Sequence, residues 1–101
     1  MGGMGVYMIK ANKETVKELY EIYKVYYKGV DENNFTNSQF DEFMSKSKSL
    51  EEKLYNELKV QTSRFKITPD LPYTIHKLAM MSNMDFDEVC KLYKLLGIKV
   101  C

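Results

Sequence analysis

The sequence has little of the residue types that carry most recognisable site chemistry. Its 101 residues include one arginine, one histidine, two cysteines and no tryptophan. With Arg64 as the only arginine, sequence-specific DNA recognition is disfavoured, because the guanidinium makes the commonest specific contact to guanine. His76 has no serine, cysteine or acid at a recognisable catalytic spacing, and no glycine-rich loop or nucleophile elbow is present. We therefore expect a protein that is not an enzyme.

The two cysteines also argue against a metal site. Cys90 and Cys101 form no CxxC pattern and have no histidine cluster near them. We expect no bound metal and no cofactor. Two unpaired cysteines fit a reducing compartment, which predicts a cytoplasmic protein.

The chain has no long hydrophobic run. No apolar stretch approaches the roughly 20 residues of a membrane span, so we expect no membrane partner. The opening "MGGMGVYM" lacks the basic start and apolar core of a signal peptide. Residues 1–8 are predicted to be a lead that is flexible or left by cloning, and residues 1–101 a single domain.

The net charge is +1, so bulk charge favours neither nucleic acid nor membrane. The charges are distributed unevenly along the chain. Residues 31–42 carry four acids and no base, whereas residues 43–66 carry six bases and three acids. The second segment could therefore present a modest basic surface.

Hydrophobic spacing predicts an all-α fold of four or five helices. The first helix is predicted to begin after the N-cap Asn12 and to end at Gly29. Ile22 and Val25 widen its apolar surface, which suggests contacts on more than one side.

The second helix runs through "SQFDEFMSK". The capping-box sequence "SLEE" then favours a break at Ser49 and a new helix, with one continuous helix as the alternative. A further helix is predicted over Pro72–Met81 and a last one from the N-cap Asp85 to Gly97. The ending "IKVC" is predicted to be a short strand or a tail.

Residues 72–98 meet the packing requirements of a helix-turn-helix unit. Ala79 is small enough for the close crossing of two helices, and Asn83 tolerates the left-handed backbone of the turn. Val89 and Leu92 then fall at the inward-facing offsets of the second helix. We therefore predict a helix-turn-helix-like unit here.

The second helix of this unit begins with acids. Asp85 is committed to capping, while Asp87 and Glu88 would meet DNA phosphates with the wrong sign. The unit is therefore predicted to pack or dock against protein rather than to recognise bases.

The same segment resembles a known family. It is similar to the small helical subdomain at the N-terminus of bacterial translation initiation factor two. The matching positions are Ile75, Leu78, Ala79, Asn83, Met84, Leu96, Gly97 and Ile98. The resemblance covers about a quarter of the chain and implies a compact helical fold there; it implies little about activity.

Aromatic and methionine residues supply the candidate partner-binding positions. These are Tyr23, Tyr26, Tyr27, Met80 and Met81. The core interpretation is favoured for Tyr23, whereas Tyr26 and Tyr27 are adjacent, so at least one should be exposed. Met80 and Met81 likewise cannot both face one core. The leading hypothesis is a small accessory protein that docks on a larger protein, such as a nucleic-acid-processing enzyme of a phage or mobile element.

The alternative is a dimeric helix-turn-helix regulator that binds DNA. Its candidate nucleic-acid contacts, to DNA or RNA, are lysines: Lys46, Lys48, Lys77, Lys91 and Lys94. A homodimer formed through the first helix is a third hypothesis.

Overall fold

The chain folds into four helices and two short strands over the described residues. A computed structural model describes residues 9–61 and 67–101. In chain order the elements are β1 (Ile9–Ala11), α1 (Lys13–Asp31), α2 (Asn37–Val60), α3 (Leu71–Met81), α4 (Phe86–Leu95) and β2 (Ile98–Val100). The fold is predominantly helical, in agreement with the predicted class. The predicted lead over residues 1–8 and the end of the predicted basic segment lie outside the described residues.

Helix α1 begins where the sequence predicts. The Asn12 side chain accepts hydrogen bonds from two backbone N–H groups of the first turn. The predicted end at Gly29 is too early, since the helix continues past it. Gly29 instead allows a close approach, because a Cβ there would lie 3.2 Å from the Phe35 ring. The left-handed residue after the helix is Asn33, with a φ of 56°.

Helix α2 is one continuous helix, so the favoured break at Ser49 is wrong and the single-helix alternative is correct. Its N-cap is Thr36, which forms a capping box with Gln39. A stripe of core-facing residues crosses the expected break. Its members are Phe43, Ser47, Leu50, Leu54 and Leu58. Burial of this stripe outweighs a local capping signal that an uninterrupted helix also tolerates.

Helices α3 and α4 are joined by a short turn. Asn83 in that turn has a φ of 53°, the left-handed value that the sequence predicts. Asp85 caps α4 in a reciprocal capping box with Glu88. Pro72 lies in the first turn of α3, and Gly97 follows α4 with a φ of 83°. The predicted limits of both helices are therefore accurate to within about two residues.

The two strands form a small parallel sheet in which Ile9 lies opposite Ile98. The ending "IKVC", predicted to be a short strand or a tail, contains the strand β2. Strand β1 is not predicted from the sequence. On the other edge of β1, the Gln61 side chain accepts from the Lys10 backbone N–H (2.7 Å) and donates to the Lys10 carbonyl (2.5 Å). Strand β1 is thus held between β2 and the end of α2.

The core lies on one side of an antiparallel hairpin formed by α1 and α2. Helices α3 and α4 and the sheet supply the rest of it. The largest fully buried side chains are Tyr93, Leu19, Leu54, Leu58, Ile98 and His76. On the opposite side of the hairpin, the described residues that line the surface come from α1, α2 and the loop between them. That side carries the candidate site.

Candidate functional site

A long groove runs between α1 and α2 on the side of the hairpin away from the core. Three cavities, of about 880, 310 and 290 Å³, follow one another along it. The first two share Ile22 and Lys46 in their linings, and the last two share Val25 and Phe35. The three cavities are therefore one continuous depression, named here the α1–α2 groove.

The apolar lining of the α1–α2 groove comes from both helices. Its members are Ile22, Val25, Tyr26, Phe43 and Leu50, of which the last two also pack against the edge of the core. Val25 is 66% exposed, while Ile22 and Leu50 are half-buried. Because core residues of α1 lie on its other side, this helix has two apolar faces, as its widened apolar surface predicts. Only one of these faces is covered within the described residues.

One rim of the α1–α2 groove is acidic. Glu14, Glu18 and Glu21 are spaced four and three residues apart on α1, so their carboxylates lie along one line. None of the three forms an ion pair with a described residue. Across the groove, Lys46 pairs with Glu42 at 2.6 Å, which holds the pKa of that carboxyl below its usual value. The described groove lining, with five acids and three lysines, therefore carries net negative charge beside an apolar floor.

The groove ends at an aromatic cluster named here the hairpin tip: Tyr26, Phe35, Phe40 and Phe43. The Tyr26 ring stacks on Phe43 with centroids 4.1 Å apart and lies edge-on to Phe35 at 5.2 Å. Phe40 is 43% exposed. Tyr26 is half-buried, so a substitution there changes both the groove and the packing of the tip.

The other predicted partner-binding residues are divided between a second cleft and the surface. Tyr27 and Met80 are half-buried and line a cavity of about 440 Å³ between α1 and the α3–α4 turn, together with Lys24 and Lys28. Met81 is 67% exposed and is not among the lining residues of that cavity. The prediction that one of the two methionines is exposed is thus confirmed.

Tyr23 lies in the core, as the favoured interpretation requires, and its ring cannot contact a partner. Its hydroxyl donates to Glu51, and burial with this hydrogen bond raises the pKa of Tyr23 well above its usual value. Burial also raises the pKa of Glu51. These two groups belong to a buried polar cluster.

The rest of that cluster is His76 and Tyr93. His76 Nε2 lies 2.9 Å from the Tyr93 hydroxyl, and the other ring nitrogen, Nδ1, has no hydrogen-bond partner among the described residues. Burial lowers the pKa of His76 to about 3 and raises that of Tyr93. His76 is therefore neutral, and none of the cavities described above reaches it.

The predicted nucleic-acid-binding lysines lie on three different helices. Lys46 lies in the α1–α2 groove, paired with Glu42, and Lys48 is exposed on α2. Lys77 is exposed on α3, with Nζ 5.5 Å from the Tyr73 ring centroid. Lys91 and Lys94 are exposed on α4. No cavity described above brings two of the five together.

No helix in the described ranges is long and apolar enough to cross a membrane. Within the same ranges, no three His, Cys, Asp or Glu side chains gather in a way that could hold a metal ion.

Sequence reasoning missed the acidic rim and most of the apolar groove lining. The available signal was the width of the apolar surface of α1, carried by Ile22 and Val25. The partner face of α2 could not be recognised once a break at Ser49 was assumed, because Leu50 was then assigned to another helix.

Comparisons with protein-family models, curated proteins and solved structures find no match for this chain. The resemblance of residues 75–98 to the initiation-factor subdomain gains no support from them and remains an expectation. The function proposed below is therefore supported by the geometry of the chain itself.

Proposed function

We propose that the chain is a small, non-enzymatic accessory protein that docks on a larger protein through the α1–α2 groove. The observation that carries the proposal is the continuous groove with its exposed apolar lining, of which Val25 is the most open described member. A surface helix of a globular protein normally buries its apolar residues, so a second apolar face marks an interaction site. The hairpin tip extends this surface with further exposed aromatic area.

Site-specific cross-linking tests the docking surface. A photo-reactive benzoylphenylalanine replaces Val25 in cells that produce the protein, and Val60, also apolar and 83% exposed, is the matched control outside the groove. We expect a discrete higher-mass adduct from position 25 and none from position 60. No adduct at either position, or the same adducts at both, would contradict docking in the groove.

A DNA-binding regulator is the second candidate, and the α3–turn–α4 segment favours it. The left-handed Asn83 and the capped start of α4 are what a helix-turn-helix unit over residues 72–98 needs. The acids of the first turn of α4 and the scattered lysines count against DNA contact. In this candidate, Lys91→Glu or Lys94→Glu abolishes binding, whereas docking through the groove predicts little effect of either change.

The setting proposed from the sequence is unchanged. We infer a cytoplasmic protein whose partner is a nucleic-acid-processing enzyme of a phage or mobile element. This step is an analogy with the usual context of helix-turn-helix-like units and lysine-rich helices.

A further inference from the structure

We propose that the occupant of the α1–α2 groove is an amphipathic helix of the partner, with an apolar stripe flanked by lysine or arginine. This inference rests on the proposed docking function and adds the chemistry of the partner segment.

The shape of the groove fits a helix. It lies between two antiparallel helices. A third helix can complete a bundle there by packing its side chains into the grooves between the ridges of α1 and α2. From Glu14 to Glu32, its described lining spans 19 residues of chain, which corresponds to about 27 Å along the helix axis. A partner helix of similar length would therefore contact the whole groove.

An extended strand is a poorer fit. The groove is lined by the side chains of helices whose interior backbone groups are already hydrogen-bonded within each helix. A strand binds by adding to an open sheet edge, and α1 and α2 offer none. Recognition in the groove must therefore depend on side chains.

The charge of the groove selects the flanks of the incoming helix. Glu14, Glu18 and Glu21 line one rim without ion-pair partners among the described residues, and the Lys46 charge is offset by Glu42. The groove lining also contains Lys17, whose Nζ lies 5.9 Å from the ring centroid of Phe86 on α4, and Lys28, which lines the last cavity together with Glu32. A basic helix would complement this rim, whereas an acidic helix or a nucleic acid would be repelled.

A peptide-display selection tests the occupant and does not require a purified partner. A library of random 18-residue peptides is selected on the natural chain and on a groove variant with Glu14→Lys, Glu18→Lys and Glu21→Lys. A control variant with Asp41→Lys, Glu52→Lys and Asp70→Lys has the same change in net charge at exposed positions outside the described groove lining. Circular dichroism first establishes that each variant is helical.

The natural chain and the control variant should enrich peptides with apolar residues at helical spacing and lysine or arginine beside them. The groove variant should keep the apolar spacing and change the flanking preference to aspartate or glutamate. No enrichment, enrichment without a charge preference, or the same reversal in the control variant would overturn the proposal.

A milder variant covers the case in which three lysines unfold α1. Glu18→Gln with Glu21→Gln removes two charges and adds none, and it should weaken a selected basic peptide about tenfold at low salt. Unchanged affinity would overturn the role of the rim.

A light-scattering mass of two chains that Val25→Glu reduces to one would assign the groove to a second copy and would also overturn the proposal.

The inference and the proposed function fail separately. A position-25 cross-link without any basic-helix preference would leave docking in place and remove this occupant. A basic-helix preference without a cross-link in cells would leave a groove of known chemistry and remove the docking role.

Discussion

At the scale of single residues, burial decides which polar groups are chemically available. Tyr23 and His76 are the residues that a search for functional chemistry notes first, since one is aromatic and polar and the other is the only histidine. Both lie in the core, where they bond to Glu51 and Tyr93. Their polar atoms are enclosed within the fold, while the acids available to a partner lie on the rim of the groove.

His76 gives the fold a dependence on pH. Its pKa in the folded protein is about 3, below the unfolded value of 6.5, so the unfolded chain binds more protons between these values and stability falls as the pH drops below 6.5. From pH 7 to pH 5 this group should lower the free energy of unfolding by about 2 kcal/mol. Urea denaturation of the natural chain and of His76→Gln, compared at the two pH values, measures the difference.

Glu51 changes the stability in the opposite direction as the pH falls, and it is present in both the natural chain and His76→Gln. Its raised pKa means that the folded state takes up a proton before the unfolded state does, which adds stability as the pH falls. The comparison with His76→Gln therefore isolates the histidine. Equal pH dependence of the two proteins would show that His76 can be protonated without unfolding.

At the scale of elements, helix limits follow from capping only where burial agrees with it. The N-caps Asn12 and Asp85 were predicted correctly, because each precedes a helix whose apolar spacing starts there. The favoured break at Ser49 failed, since the serine and the acid of a capping box are also ordinary residues on the exposed side of a continuous helix. The helical spacing of the core-facing residues from Phe43 to Leu58 continues across Ser49, and this spacing indicates one uninterrupted helix.

The sign of the change in the free energy of unfolding on substitution by alanine distinguishes a helix cap from a helix interior. Ser49→Ala should raise the free energy of unfolding by about 0.5 kcal/mol, because alanine has the higher helix propensity at an exposed interior position. Thr36→Ala should lower it by about 1 kcal/mol, because it removes the observed N-cap. Chemical denaturation of both variants measures the two effects, and a loss of stability in Ser49→Ala would restore the break.

Strand β1 marks the limit of sequence prediction for this fold. Ile9–Ala11 is too short to show an alternating pattern, and its partner β2 lies at the other end of the chain. Pairing of this kind depends on the position of every intervening helix. The groove is similar: Ile22 and Val25 indicate a second apolar face on α1, but the face of α2 opposite them follows only from the packed hairpin.

At the scale of the whole molecule, acidic and basic residues are nearly equal in number but lie in different places. The acids of the rim follow α1, while the candidate lysines lie apart on α2, α3 and α4. A net charge of +1 conceals this division. Over the described residues, three acids of α1 line one groove, whereas no cavity described above brings two of the five candidate lysines together.

This distribution predicts weak DNA binding. Fluorescence anisotropy with labelled double-stranded DNA should give a dissociation constant above about 10 μM at about 200 mM salt, because the candidate lysines are divided among three helices and acids occupy the first turn of α4. Lys91→Glu should change it little. Tight binding at about 50 mM salt that Lys91→Glu abolishes would favour the regulator over the docking protein.

The parallel pairing of β1 with β2 also sets an order of folding. The strands come from the two ends of the described chain, so their contact closes a loop around all four helices. The entropy of closing so long a loop must be overcome before the pairing stabilises anything, whereas the contacts within each helix are local. We expect the α1–α2 hairpin to form first. The β1–β2 sheet should form last, once the helices that separate its strands in the chain are already packed.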